Sequence, residues 1–267
     1  MRDKRLDWLI ELNSLEIQQS HPDDMGFLFG YESGVEVLAR QVADRPHIHD
    51  RPEERRDLIG LDDVLGKLDD HGIHVPMPTT WVIVLDDEIP NDLTFPVFVR
   101  TPKSSWKRGG QQSKVTNLKE LNDEAQLLRR SFGWDMPIIA RQWLDIAVAG
   151  QWMYGDVPQE IRTWVMDGEL VAWSFHYLDA VAEPNGFPPT TRDLRQLKAM
   201  AASIAGPFRS RLIAADFVRD VRGKWCFIEA GPGAVAGTAH EAVFKYVARR
   251  LIGEMPEAPE SIVGGAF

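Results

Sequence analysis

The amino-acid sequence predicts an α+β fold organised around antiparallel hairpins, and three observations carry that prediction. The first is Leu212 to Glu241, which reads as a strand, a tight turn at Asp220-Val221-Arg222-Gly223, a second strand, and a Gly-rich loop entering a helix. The second is a pair of largely apolar runs, Glu160 to Met166 and Glu169 to Tyr177, joined by Asp167-Gly168, the strongest short turn signal in the chain. The third is the amphipathic segments set between the strand runs. Leu118, Leu121, Ala125 and Leu128 share one face of a helix that Asn117 can cap, and a further helix from Asp193 to Ala205 stops at Gly206-Pro207.

Composition narrows the function classes before any motif is read. The chain has 267 residues, 44% hydrophobic and 26% charged, which is ordinary for a soluble globular protein large enough to hold one large or two small domains. A net charge of −10 argues against broad binding to nucleic-acid phosphates or anionic membranes, and leaves room for a local basic pocket. The single cysteine, Cys226, excludes an intramolecular disulfide and reads as a small buried residue. With no long apolar run and a charged, amphipathic N-terminus, a cytoplasmic location is expected.

Taken in order, residues 3–18 place Leu6, Leu9, Ile10, Leu12, Leu15 and Ile17 at helical spacing, and Gly34 to Ala43 reads as a second helix. His47-Ile48-His49-Asp50 has metal-binding residue types, but in a polar, Pro-containing stretch a solvated loop is the better reading. Asp62 to His71 predicts a short helix. Pro76 and Pro78 then hold an extended crossing into a strand at Trp81-Val82-Ile83-Val84. Phe95 to Arg100 is a strand ending in a cation. The loop that follows gathers Lys103, Lys107, Arg108 and Lys114 around two serines and two glycines, a composition suited to covering phosphates. It lacks Walker A spacing, and a plain mobile surface loop is the competing reading. Pro137 to Leu144 is another strand. Arg162 interrupts a half-apolar strand beside Glu160, either as a surface ion pair or as a forked phosphate contact. The last helix spans Ala239 to Leu251, and the tail from Pro256 is expected to be loose.

Two acids stand inside the apolar strands of the Leu212–Glu229 hairpin. A four-residue loop at 220–223 pairs Arg219 with Lys224 and sets Asp216 opposite Phe227. Glu229 then shares the face of Asp216 as a diagonal neighbour at about 7–8 Å between Cα atoms, a gap an ion can bridge. Mg²⁺, which takes one or two carboxylates plus substrate phosphates, suits such a pair. A hairpin whose acids merely face solvent is the other reading.

The order of these parts resembles the ATP-grasp enzymes from Val75 to Arg250. VPMPTTWVI is similar to the lead into the small nucleotide-binding subdomain, and FPVFVR with its basic loop to the family's strand and phosphate cover. IIARQWL is similar to the hinge strand of the adenine site, EIRTWVMDGELVA to the E-x-R strand, and AADF…FIEAGPG to the D…E-x-N-P-G metal strands. The resemblance implies two lobes with ATP between antiparallel sheets, divided as 1–78 (largely helical and reduced), 79–150, 151–255 and a 256–267 tail. It implies an ATP-dependent ligase that activates a carboxylate as an acyl-phosphate for attack by an amine or thiol, with Mg²⁺ as cofactor. A nucleotide-binding regulatory relative without turnover is the alternative.

The implied site assigns ATP to Arg100, Lys103, Lys107, Gln142, Trp143, Leu144, Glu160 and Arg162, with Arg100 and Arg162 catalytic. It assigns the metal to Asp216 and Glu229. The acceptor side falls to Gly231, Gly233, Gly237, Thr238 and His240, where the glycines allow close backbone approach and positive φ and Thr238 can cap the next helix. The chain departs from the family pattern in having Arg100 where Lys is usual and Gly231 where Asn is usual.

Overall fold

The computed structural model describes residues 26–27, 48–49, 52–84, 89–102, 114–152, 155–176, 185–186, 188–233, 236, 243, 246–247 and 249–250. The helices expected over 3–18 and 34–43 lie outside them. Two short strands, β1 (Gly26–Phe27) and β2 (Ile48–His49), pair in parallel, so His49 stands in a strand where a loop was expected. Next come a helical turn α1 (Pro52–Arg55), a 3-10 turn (Arg56–Leu58) and helix α2 (Leu61–Asp70).

The body of the chain is two four-stranded antiparallel sheets. The smaller contains β3 (Thr80–Ile83), β4 (Val97–Arg100), β5 (Lys114–Val115) and β6 (Ile138–Gln142), in the order β3-β6-β4-β5. Helix α3 (Leu118–Phe132) packs on it through Leu121, Ala125 and Leu128, the face its spacing predicts, while Leu118 in the first turn is exposed. Asn117 caps this helix as expected, accepting the Glu120 N–H at 3.0 Å.

A two-stranded hairpin, β7 (Val148–Trp152) and β8 (Gly155–Pro158), leads into the larger sheet. That sheet holds β9 (Glu160–Met166), β10 (Glu169–Phe175), β11 (Leu212–Arg219) and β12 (Trp225–Pro232), in the order β10-β9-β11-β12. The turn between β9 and β10 has Asp167 and Gly168 at φ 50° and 84°, the mirror-image turn that the Asp-Gly pair favours.

Helix α4 (Thr191–Ala205) covers one face of the larger sheet, burying Leu197, Met200, Ala201 and Ile204 against Ile161, Val165, Ile213, Phe217 and Phe227. Leu58, Val64 and Leu68 complete this core from the segment ahead of β3. The same segment binds both sheets by backbone: Leu61 N–H donates to Pro102 O at 3.1 Å, and Pro76 O accepts Phe227 N–H at 2.8 Å.

The β11–β12 register differs from expectation. Arg219 pairs with Trp225, because the loop holds five residues: the Asp220 N–H donates to Lys224 O at 2.9 Å, and Asp220 Oδ1 accepts the amides of Arg222 and Lys224. Phe217 is then opposite Phe227. A bulge at Ile228 takes up one residue, so Asp216 faces Glu229 directly and is not its diagonal neighbour.

Helix α4 begins two residues before Asp193, with Thr190 as its cap and Asp193 completing a capping box. Asp193 also accepts the buried Trp225 indole N–H at 3.0 Å, locking the helix to β12. Burial pushes the Asp193 carboxyl up from its ordinary 3.8, but hydrogen bonds from Thr190 and Trp225 and the Arg219 charge outweigh it, and the net shift is downward. A carboxyl held lower in the folded than in the unfolded chain stabilises the fold above its unfolded value, and that contribution fades as pH falls through the folded value. Asp193→Asn is therefore expected to lower stability at neutral pH by about 1–2 kcal/mol. It is also expected to flatten the stability decline below about pH 4, as urea unfolding across pH 3–7 would show.

Candidate active site between the sheets

The face of the larger sheet opposite α4 carries its charges in one row. Ser174 of β10, Arg162 of β9, Asp216 of β11 and Glu229 of β12 occupy successive register positions. Arg162 holds Asp216 with both arms of its fork, Nε to Oδ1 at 2.8 Å and Nη2 to Oδ2 at 2.6 Å. Asp216 is 2% exposed. Burial alone would lower the proton affinity of Arg162; the charges of Asp216, Glu229 and Glu160 and the Asp216 hydrogen bond reverse that and raise it. Arg162 is thus a permanent cation set among carboxylates.

The smaller sheet closes on the same row. Arg100, at the end of β4, donates from Nη1 to Glu229 Oε2 at 2.5 Å and from Nε to Thr101 O at 3.1 Å. Arg141, in the middle of β6 and 4% exposed, reaches further into β12. Its Nη1 bonds Ile228 O, its Nη2 donates to Phe227 O at 3.4 Å, and its Nε donates to Thr80 Oγ1 at 3.0 Å. Successive carbonyls of a regular strand point to opposite edges, and the bulge at Ile228 is what allows one guanidinium to take both. Burial, with Arg100 adding and Glu229 opposing, brings Arg141 down to about 10, so it stays protonated at neutral pH. The sequence reading passed over Arg141; the signal available was a lone arginine inside the apolar run IIARQWL.

Arg100, Glu160, Arg162, Asp216 and Glu229, the charged site residues predicted within the described chain, therefore lie together in one charged cluster. Glu160, two residues before Arg162, is 7% exposed and has His176 Nε2 4.0 Å from its Oε1. His176 was not predicted; it lies two residues beyond Ser174, on the alternation that brings it to this face.

Gln142 ends β6 opposite Val97, and Trp143 and Leu144 follow it out of the strand. The amides of Gln142 and Trp143 donate to Thr79 O and Pro96 O at 2.8 and 2.9 Å. Lys114, the last cation of the basic loop, stands 4.6 Å over the Trp143 ring.

Gly231 lies near the end of β12 and Gly233 directly follows it, and neither has the positive φ expected of them. A Cβ on Gly233 would lie 2.6 Å from Leu212 Cγ, so close approach within the fold accounts for that glycine. Lys103, Lys107, Gly237, Thr238 and His240 lie outside the described residues.

The arrangement provides three guanidinium groups and opposed carboxylates at the junction of two sheets, which suits an anion bearing a hard cation. No curated protein matches the sequence. Among solved structures, a RimK domain protein ATP-grasp from Sphaerobacter thermophilus DSM 20745 superposes with a TM-score of 0.62 at 14% identity, over 94% of each chain. Carboxyaminoimidazole ribonucleotide synthase from Aspergillus clavatus, complexed with ATP, gives 0.65 at 13% identity, over 97% of this chain and 76% of that one. D-alanine–D-alanine ligase from Bacillus anthracis, complexed with ATP, gives 0.54 at 12% identity, over 86% and 72%. Likenesses at this identity show the fold, and a family model covering residues 89–251 supplies the membership. That model spans well over half of the sequence, and the chain belongs to the ATP-grasp domain family, R2K clade family 3.

Proposed function

We propose that this chain is an ATP-dependent ligase that activates a carboxylate as an acyl-phosphate for attack by an amine or thiol. The observation that carries the reading is the row Arg162–Asp216–Glu229–Arg100, in which two arginines from different sheets meet two carboxylates from adjacent strands. Each arginine has a carboxylate partner, and a triphosphate with its cation would offer both sides replacement partners. Phosphate oxygens would take Arg162 and Arg100, and a divalent cation would take Asp216 and Glu229.

The donor set fits Mg²⁺: both groups are hard carboxylates, set opposite each other in register. When bound there, the ion would neutralise phosphate charge and leave the protein to align the reactants. Arg162, fixed in the middle of a sheet, and Arg100, at the end of a strand, would hold the transferring phosphoryl group from two directions. A substrate carboxylate oxygen then attacks the γ-phosphorus, the bond to the β-phosphate oxygen breaks, and ADP leaves. The amine or thiol next displaces phosphate from the acyl carbon. Charge compensation and orientation by rigid strands are the contributions such a transfer needs.

At the hinge, the amides of Gln142 and Trp143 already have acceptors, so a base would meet their side chains and Leu144. In this reading residues 79–150 cover the nucleotide, with Lys103 and Lys107 of the basic loop on its phosphates, and residues 151–255 carry the metal. Gly231, Gly233, Gly237, Thr238 and His240 border the acceptor. Among the described residues no helix is long and apolar enough to cross a membrane.

Asp216→Asn and Glu229→Gln are expected to fold and to lose Mg-dependent ATP turnover by about a hundredfold or more, roughly 2.7 kcal/mol in the barrier. ADP release measured with pooled carboxylic acids and amines is the assay, and full activity in both variants would remove these residues from the site. A wild-type chain that binds Mg-ATP yet releases no ADP with any acid would favour the regulatory alternative.

Arg162→Ala should weaken ATP by about 10- to 100-fold while leaving adenosine nearly unchanged, since a charged hydrogen bond of roughly 1.5–3 kcal/mol is lost only with phosphates. Because this change strands a buried Asp216, the variant should also be less stable by about 3–5 kcal/mol. Arg162→Ala combined with Asp216→Asn should recover part of that loss. Calorimetric binding and urea unfolding of the four proteins separate the two effects, and equal losses for both ligands would mean a general folding defect.

A further inference from the structure

Next to the row of ion pairs, three donor atoms of mixed chemistry approach one another from adjacent strands. Glu160 opens β9, His176 directly follows β10, and Asp216 stands in β11. Among the described residues, one ligand atom from each lies within 4.8 Å of the other two. The backbone holds the first pair in place, with His176 N–H donating to Glu160 O at 2.9 Å, and both carboxylates are almost wholly buried.

We propose that Glu160, His176 and Asp216 form a site for a borderline transition dication of the Zn²⁺ class, separate from the Asp216–Glu229 pair and sharing only Asp216 with it. The residue types make the distinction. Mg²⁺ prefers oxygen ligands alone, whereas one imidazole with two carboxylates is a ligand set suited to Zn²⁺. Three protein ligands also leave coordination positions open to water or substrate, as in sites that act on a bound molecule. Ligand bonds of about 2.0–2.2 Å require the three atoms to draw somewhat closer, which side-chain torsions on fixed strands can supply.

Arg162 is the feature that opposes the ion, because its fork already contacts both Asp216 oxygens. An ionised carboxylate has about four lone-pair sites, so Asp216 retains acceptor capacity toward a second cation. Two carboxylates within the site, with Glu229 near enough to act on Arg162, offset the repulsion.

The test uses the full chain without nucleotide or affinity tag, titrated with Zn²⁺ by calorimetry and with Co²⁺ by visible absorption. It therefore stands apart from the ligase reading. The wild type should bind one equivalent and gain thermal stability. His176→Gln and Glu160→Gln should each weaken Zn²⁺ by at least about tenfold and alter the Co²⁺ bands, as even the loss of an outer partner does at metal sites. Glu229→Gln, which removes a neighbouring charge and no ligand, should weaken Zn²⁺ less than either of those variants and leave the Co²⁺ bands in place. Unfolding curves recorded without metal establish which variants are folded, and Glu160→Gln decides the matter if His176→Gln is not. Absence of binding by the wild type, equal binding by both of those variants and the wild type, or an equal loss in Glu229→Gln would each overturn the proposal.

Discussion

The Arg141 guanidinium, buried where the two sheets meet, ties the bulged backbone of β12 to β6 and, through Thr80, to β3. Burying a cation is costly unless its hydrogen-bonding capacity is met, and this one finds two carbonyls and a hydroxyl. Those carbonyls belong to Phe227, the last paired residue before the register shift, and to the bulged Ile228 itself. The bulge places Glu229 beside Asp216. Without it, a five-residue loop would set Ile228 opposite Asp216 and turn Glu229 toward the core face. One arginine therefore stabilises both the junction of the sheets and the register that brings the acids together.

The charged row that results is close to neutral. Arg162 with Asp216 and Arg100 with Glu229 are paired, and Glu160 lies beside Arg162. Such pairs are weak evidence for stability, because desolvation takes back much of their Coulombic gain. Their value here is geometric. On the proposed function, each charge is held where a phosphate oxygen or a cation would meet it, on strands that keep it in place. Breaking one pair leaves a buried charge uncompensated, so on that reading both partners of a pair would be exchanged together.

The segment ahead of β3 belongs to this architecture more closely than its weak sequence pattern suggested. Leu58, Val64 and Leu68 enter the larger core, while Leu61 and Pro76 make backbone bonds to opposite sides of the cleft. A boundary drawn near residue 78 separates the sequence motifs well, yet it cuts across a packed core. The short segment thus braces both sheets without contributing a side chain to the charged row.

Much of the fold was legible in the sequence because it rests on local chemistry. Asp167-Gly168 fixes a turn through its positive φ values, Asn117 caps a helix through one side-chain oxygen, and strand alternation puts Arg162 and Glu160 on one face. Asp216 and Glu229 were identifiable as acids inside apolar strands. Their true pairing was not, because the Asp220 side chain lengthens the loop by one residue and only the bulge at Ile228 corrects the face. Arg141 and His176 escaped notice for a related reason. A lone charge or histidine in a strand takes its meaning from partners far away in the chain, and those partners are set by tertiary packing. The sequence by itself determined the Asp167-Gly168 turn, the Asn117 cap, the hairpins and the family order. The tertiary structure decided register and partnership, because these depend on contacts between Thr80, Arg141 and Phe227–Ile228 that no local periodicity encodes.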